Sequence, residues 1–236
     1  MKELKVTLVE RVPRTFSVES FRFQPQERLS FLPGQFGQLI FDEQNRNNSE
    51  LNKYLSFSAS PSREYLEFTK RLSQSRFSQS LKDLKIGDEV LLKGPLGNCI
   101  FKQEYKRIGF LIGGIGITPV ISIIEYVIQS RFNTDIFLLY SNRTEEEIAF
   151  KEELDYWQKL NKNLKVYYVI TDCVPKDKNC IYGRIDQTLL LSKVDSIGER
   201  VFFIFGPPKM VEVMARLCET AGCSKENIKT ENFVGY

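Results

Sequence analysis

The sequence contains no histidine. That absence excludes the Ser-His-Asp and Cys-His nucleophile systems and His-rich zinc sites. Proton chemistry near neutrality then falls to a tuned Cys, Glu, Lys or Tyr, or the reaction moves hydrides and electrons instead. Cysteine is sparse: Cys99, Cys173, Cys180, Cys218 and Cys223, with no C-x-x-C pair. This spacing matches neither a zinc ribbon nor the runs that hold iron–sulfur clusters, so reduced, mostly buried thiols and no metal are expected. A strong excess of one charge is lacking as well, with 33 Lys+Arg against 30 Asp+Glu. No long basic run or aromatic-interleaved basic patch occurs, so no nucleic-acid partner is expected, while the mild excess would suit a soluble acidic one. The start, "MKELKVTLVERVPRTF", alternates like a strand and lacks the apolar core of a signal peptide, which points to the cytoplasm.

The 236 residues suffice for one large domain or two of ordinary size. The longest apolar stretch, "RIGFLIGGIGITPVISIIEYVI" at 107–128, is long enough to raise the question of a membrane span. Its interior argues against one. Gly113, Gly114, Gly116 and Pro119 cluster in seven residues, and Glu125 lies near the far end. The stretch divides into a buried strand, "RIGFLI", a turn, "GGIGITP", and a helix, "VISIIEYVIQSRF", with Pro119 suited to the first helical turn. A strand running through glycines into a helix N-terminus is a general device for holding phosphate. The pattern G-G-x-G-x-T-P does not meet the G-x-G-x-x-G dinucleotide fingerprint.

Residues 1–103 read as short strands with turn punctuation: "KVTLVERV", "SVESFRFQ", "FGQLIFD", "YLSFSAS", "YLEFTKRL" and "EVLLKGPLG". That density predicts an antiparallel β-barrel or sandwich, with "SRFSQSLKDLKIGD" as a short helix and 43–52 as a polar loop. From about residue 106 strands alternate with helices. The strands are "IGFLIG", "DIFLLYSN", "LKVYYVITD" and "RVFFIFGPP"; the helices are "TPVISIIEYVIQ", "EEEIAFKEELDYWQKL", "IDQTLLLSK" and "PKMVEVMARLCETAG". This predicts an α/β domain with a parallel sheet over 104–236.

Eight segments occur in an order that resembles the ferredoxin–NADP reductase family of flavoproteins. They are "PGQF" (33–36), "KYLSFSASP" (53–61), "RFSQSLKDLKIGD" (76–88), "GPLG" (94–97), "GGIGITP" (113–119), "SNRTEEEIAFKEEL" (141–154), "FGPPKMV" (205–211) and the terminal "ENFVGY". The resemblance spans essentially the whole chain. It implies a barrel that binds FAD, in preference to FMN, and a second domain that brings in NADPH or NADH, with hydride passing to the flavin and electrons onward to a one-electron carrier. Ferredoxin or flavodoxin is the carrier the family suggests.

The family's R-x-Y-S-x-x-S motif falls on Lys53, Tyr54, Leu55, Ser56, Phe57, Ser58 and Ala59. The resemblance makes Ser56 a hydrogen-bonding group near flavin N5. Lys53 replaces an arginine by a point charge, and Leu55 stands where a tyrosine would stack. Thr69, Lys70 and Arg71 match the strand that contacts the flavin diphosphate, and Arg76, Phe77 and Ser78 the helix start that caps it. In the second domain, Gly113, Gly114 and Gly116 would hold the dinucleotide diphosphate, with Thr118 near the flavin or nicotinamide. Gly206 and Pro207 belong to a nucleotide-binding segment in which Phe205 replaces the family's cysteine. Glu231 matches an acidic residue near the C-terminus of several members, which the resemblance implies could assist at the hydride-transfer site, and Tyr236 a terminal aromatic that stacks on the flavin in some members. Arg143, with no acidic residue before Glu145, leans towards NADPH. Three alternatives stay open: a reductase of free flavin, an electron-transfer subunit of a larger complex, and a nucleotide-binding regulatory module.

Overall fold

The computed structural model describes residues 1–233. They fall into two compact units, one made of residues 1–101 together with 118–129, the other of the remainder.

The first unit holds strands β1 (Lys2–Pro13), β2 (Val18–Pro25), β3 (Phe36–Ile40), β4 (Asn52–Ser56), β5 (Leu66–Arg71) and β6 (Glu89–Leu96), with helix α1 (Arg76–Asp83) before β6. The strands pair antiparallel in the order β4-β3-β6-β1-β2-β5. Their alternation sorts the two faces. Val6, Leu8, Phe21, Phe23, Phe68 and Leu92 meet in one core, while Ser20, Arg22, Glu67 and Thr69 take the opposite face of β2 and β5. The end strands nearly close the barrel. They meet at a single bridge, Phe57 to Phe68, beside which the Ser58 N–H donates to the Glu67 carbonyl at 2.8 Å. The rings stack at the same point, with centroids of Phe57 and Phe68 5.0 Å apart and of Phe31 and Phe57 4.1 Å apart.

A buried carboxylate pins this closure from outside the core. Glu67 accepts from Ser58 Oγ at 3.0 Å, Arg14 Nη2 at 3.1 Å and Arg22 Nε at 2.8 Å. Thr69 continues the network to Ser58 (2.7 Å) and Ser20 (2.6 Å), and Arg14 Nε donates to Ser20 at 2.7 Å. Two guanidinium groups satisfy what would otherwise be a costly buried charge.

The second unit is built on β7 (Arg107–Gly113), β8 (Asp135–Asn142), β9 (Leu164–Ile170), β10 (Cys180–Tyr182), β11 (Val201–Gly206) and β12 (Ile228–Asn232). All pair parallel in the order β10-β9-β8-β7-β11-β12. Runs such as "RIGFLIG" and "VFFIFG" are apolar almost throughout, as strands covered on both faces require. Its helices are α3 (Lys151–Leu160), α4 (Gln187–Lys193) and α5 (Pro208–Thr220). Helix α2 (Ile117–Gln129) follows β7 in the chain, yet from Thr118 onward it packs with the first unit. No helix among the described residues is long and apolar enough to cross a membrane.

The structure corrects the expected elements in three places. The helix expected from Glu145 is a short 3-10 turn at Glu145–Glu147, and α3 begins only at Lys151, after Phe150 takes φ 60°. Burial of Ile148, Ala149 and Phe150 accounts for the break, because a continuous helix would rotate that triplet off a single face. Strands β10 and β12 were not anticipated. One is three residues long, and the other, "IKTEN", has no buried residue.

Replacing Glu67 by Ala removes the shared counter-charge of Arg14 and Arg22. Urea unfolding is expected to show a loss of about 3 kcal/mol or more, against under 1 kcal/mol for the exposed pair partner Glu27→Ala.

Candidate functional site

In the first unit the site grows from the place where the barrel does not close. Beyond the Phe57–Phe68 bridge no ladder joins β4 to β5, so both strand edges are open there. Three cations gather at this gap: Lys53 on β4, and Lys70 and Arg71 on β5. Burial pushes the Lys70 ammonium down to about 8, and the charges of Lys53 and Arg71 push it the same way. Like charges held this close mark a place for an anion. The charge of this gap suits the diphosphate of FAD.

On β4, Ser56 is buried and Leu55 is turned into the barrel core. Tyr54 is 60% exposed and meets Phe36 edge-on, ring centroids 5.8 Å apart. On β5 the Thr69 hydroxyl is engaged by Ser20 and Ser58. Helix α1 starts at Arg76 and is capped by Ser75, whose side chain accepts the Ser78 N–H. Ser78 Oγ is buried and joins Ser75 Oγ at 3.0 Å and Ser73 Oγ at 3.3 Å. Arg76 pairs with Glu50 at 3.1 Å on the surface, and Phe77 packs in the barrel core edge-on to Phe41.

In the second unit the strand order reverses between β7 and β11. The carboxyl ends of two such strands form the crevice in which open α/β sheets bind nucleotides. Both ends are glycine-bound. A Cβ on Gly116 would lie 2.4 Å from the Phe205 carbonyl oxygen, and one on Gly113 would lie 2.4 Å from Met210 Sδ. Gly114 takes φ 51°. The turn therefore lies flat against the end of β11, a close approach that only glycine permits. Gly206 and Pro207 follow Phe205 at that end, and Pro207 stands at the N-cap of α5. The Phe205 ring is fully buried, in a row with Phe203 and Phe233 at centroid distances of 6.1 and 6.3 Å. Thr118, buried at the start of α2, belongs to the first unit.

Glu231 on β12 stands opposite Phe205 in register, at the same end of the sheet. Glu231 is half-buried, and that loss of water pushes its carboxyl up to about 7. Arg143 lies just beyond β8 and is exposed, its carbonyl accepting the Asp172 N–H at 3.0 Å. Tyr236 lies outside the described residues.

Sequence reasoning passed over three groups. Glu67 and Glu125 are buried carboxylates, and burial cannot be read from a single glutamate in a strand or helix pattern. Asn142, at the end of β8, is buried with neither side-chain amide atom hydrogen-bonded. The carboxylate of Glu145, the first acid after β8, accepts the backbone N–H groups of Lys176 (3.1 Å) and Asp177 (2.6 Å) and so is committed to the loop after β9.

A near-closed barrel with an anion-binding gap, joined to a doubly wound sheet with a glycine-lined crevice, defines a flavin- and pyridine-nucleotide-dependent oxidoreductase. Residues 3–101 match the oxidoreductase FAD-binding domain, and residues 110–216 the oxidoreductase NAD-binding domain. The chain belongs to the ferredoxin–NADP reductase-like family of FAD- and NAD(P)-binding oxidoreductases. It is 28% identical over 214 residues to NADH-cytochrome b5 reductase 1 of Coccidioides immitis, covering 87% of this chain and 69% of that one. The corresponding protein of Dictyostelium discoideum is 32% identical over 181 residues, 75% of this chain and 63% of its own length. The FAD/NAD-binding domain of a Vibrio cholerae nitric oxide dioxygenase superposes with a TM-score of 0.85 at 18% identity, over 98% of both chains.

The Glu231 carboxyl titrates near 4.5 when unfolded and about 7 when folded. Between those values the folded state holds a proton the unfolded state has lost. Its stabilising contribution is thus complete below pH 4.5 and disappears as pH rises through 7. Denaturation at pH 4.5 and 8 should show Glu231→Gln gaining stability relative to wild type at the higher pH only.

Proposed function

We propose that this NAD(P)H-dependent flavoprotein reductase, with FAD as its cofactor, delivers electrons to a separate, acidic one-electron carrier protein such as a ferredoxin, a flavodoxin or a cytochrome b5. The observation that carries the reading is the cluster of Lys53, Lys70 and Arg71 across the open edge of the barrel. FAD held there would supply hydride acceptance from the nicotinamide and one-electron release. Lys53, Lys70 and Arg71 neutralise its diphosphate, and Ser56 presents a hydroxyl at the end of β4. Gly113, Gly114 and Gly116 let backbone approach the dinucleotide diphosphate, and Glu231 holds or releases a proton near neutrality.

Charge supports an acidic acceptor. Residues 1–101 contain fifteen Lys or Arg against twelve Asp or Glu, whereas the rest of the chain is balanced. The barrel thus carries the whole of the excess, which favours encounter with an acidic surface. The relatives named above are cytochrome b5 reductases, which brings that carrier into consideration beside the two the sequence suggests. For the nucleotide, the exposed Arg143 and the committed Glu145 support NADPH, because no unengaged carboxylate ends β8 to accept a ribose hydroxyl. A second reading, flavin as a dissociable substrate, is favoured by one observation. Leu55 is spent on the barrel core, which leaves no aromatic ring at that position of the flavin strand.

Anaerobic titration of the purified protein with NADPH and then NADH, followed in the flavin absorbance bands, tests the reading. Bleaching of tightly bound flavin by NADPH at the lower concentration is expected. A colourless protein that reduces added flavin would establish the second reading instead. Lys70→Met should weaken FAD about tenfold, the worth of one charge-assisted contact. Because the diphosphate restores the Lys70 charge, FAD binding above pH 8 should take up a proton in wild type and not in that variant. Calorimetry in buffers of different ionisation enthalpy measures this.

A further inference from the structure

Phe16, at 78%, is more exposed than any other large apolar side chain among the described residues. A single such ring on a loose loop would need no explanation. Phe16 stands instead at the tip of the turn between β1 and β2, and the chain on both sides of it is tied down. The N–H groups of Arg14 and Thr15 donate to the Val18 carbonyl at 2.8 and 3.1 Å. The Thr15 hydroxyl oxygen accepts the N–H groups of Ser17 and Val18 at 3.3 and 3.1 Å. A phenyl ring turns about only two side-chain bonds, so a braced turn holds it out into water in a narrow range of poses. Leaving it there costs free energy that a stacked ligand would recover.

The turn flanks the cationic end of β5. Strand β2 pairs with β5 in the register Val18 to Arg71 and Glu19 to Lys70. The ladder runs on past both strand ends, where the Leu72 N–H donates to the Ser17 carbonyl at 2.7 Å. Phe16 is therefore one strand across and two residues along from Arg71, about 8 Å by ordinary strand spacings. Directly after Leu72 come Ser73 and Ser75, whose hydroxyls join each other and Ser78 at the cap of α1. With Ser56 on β4 taking the flavin end of FAD, its adenosine leaves on the β5 side, past Arg71. An adenosine asks for polar groups at its ribose and an aromatic face for its base, and the exposed Ser73 and Phe16 supply one of each there. We propose that the Phe16 ring stacks on the adenine of FAD, and that this turn selects the dinucleotide over FMN. The inference rests on the placing of the diphosphate beside Lys70 and Arg71, and adds the adenylate subsite to it.

Reloading the full chain with FAD or with FMN after flavin removal, followed by calorimetry, separates the adenylate from the rest of the cofactor. Wild type, Phe16→Ser, Phe16→Trp and Lys70→Met are compared, with Ile86→Ser as a control at another exposed apolar position. Because the Phe16 ring lies in water, its removal leaves the core intact, and FMN binding reports that the barrel is still formed. Phe16→Ser is expected to weaken FAD about tenfold, the scale of one base stacked on one aromatic ring, and to leave FMN within about twofold of wild type. Phe16→Trp should hold FAD at least as tightly as wild type, and Ile86→Ser should change neither flavin. Unaltered FAD affinity in Lys70→Met overturns the placing of the diphosphate, and the proposal with it. Where Lys70→Met does weaken FAD, unaltered FAD affinity in Phe16→Ser, or equal weakening of FAD and FMN, overturns the proposal alone.

Discussion

The barrel is held shut at one point and open beside it, and the rest of the first unit depends on that contrast. Phe57 and Phe68 bridge the end strands, and Glu67 fixes the bridge with two arginines. Past it, β4 and β5 part, and Lys53, Lys70 and Arg71 lie on the two strands beside the gap. An open strand edge is ordinarily a liability. Here three cations set positive charge beside it, which suits the anionic cofactor proposed for this gap. Without Glu67 the closure would have only aromatic packing to define it, and the width of the gap would not be set.

Most of the architecture was legible because each long element states its period. Alternation in "SVESFRFQ" and continuous apolarity in "RVFFIFGPP" place β2 and β11 within a residue or two. The glycine turn was legible because so many glycines in a short stretch have few structural uses. What was not legible depends on partners distant in sequence. Strand β12 exists because β11 offers it an edge, and "IKTEN" carries no periodic signal of its own. Helix α3 begins late because Phe150 is needed in the core in a left-handed conformation, a demand invisible in "EEEIAFKEEL".

The candidate site divides the same way. Lys53, Lys70 and Arg71 come from separate matches to the family, and that the charges of Lys53 and Arg71 bear on Lys70 is apparent only once the gap is seen. Thr69 and Phe77 sit on the expected elements, but their side chains serve the Glu67 network and the barrel core. Ser78 is drawn into a chain of hydroxyls with Ser73 and Ser75 at the cap of α1. A motif fixes which backbone lies near a cofactor more securely than which side chain points at it, because side-chain direction is decided by neighbours the motif does not contain.

The membership of α2 bears on how the protein is made. The first unit is assembled from residues 1–101 and 118–129, with the first strand of the second unit threaded between them in sequence. A ribosome releasing the chain from its N-terminus has therefore delivered every barrel strand, and β7 as well, before the helix that completes the barrel's packing exists. Until residue 129 emerges, Ser60 and Arg63 lack the Glu125 carboxylate to which both donate, and the nascent barrel carries an uncovered face. Synthesis order thus couples the two halves: the flavin half reaches its final form only after the nucleotide half has begun.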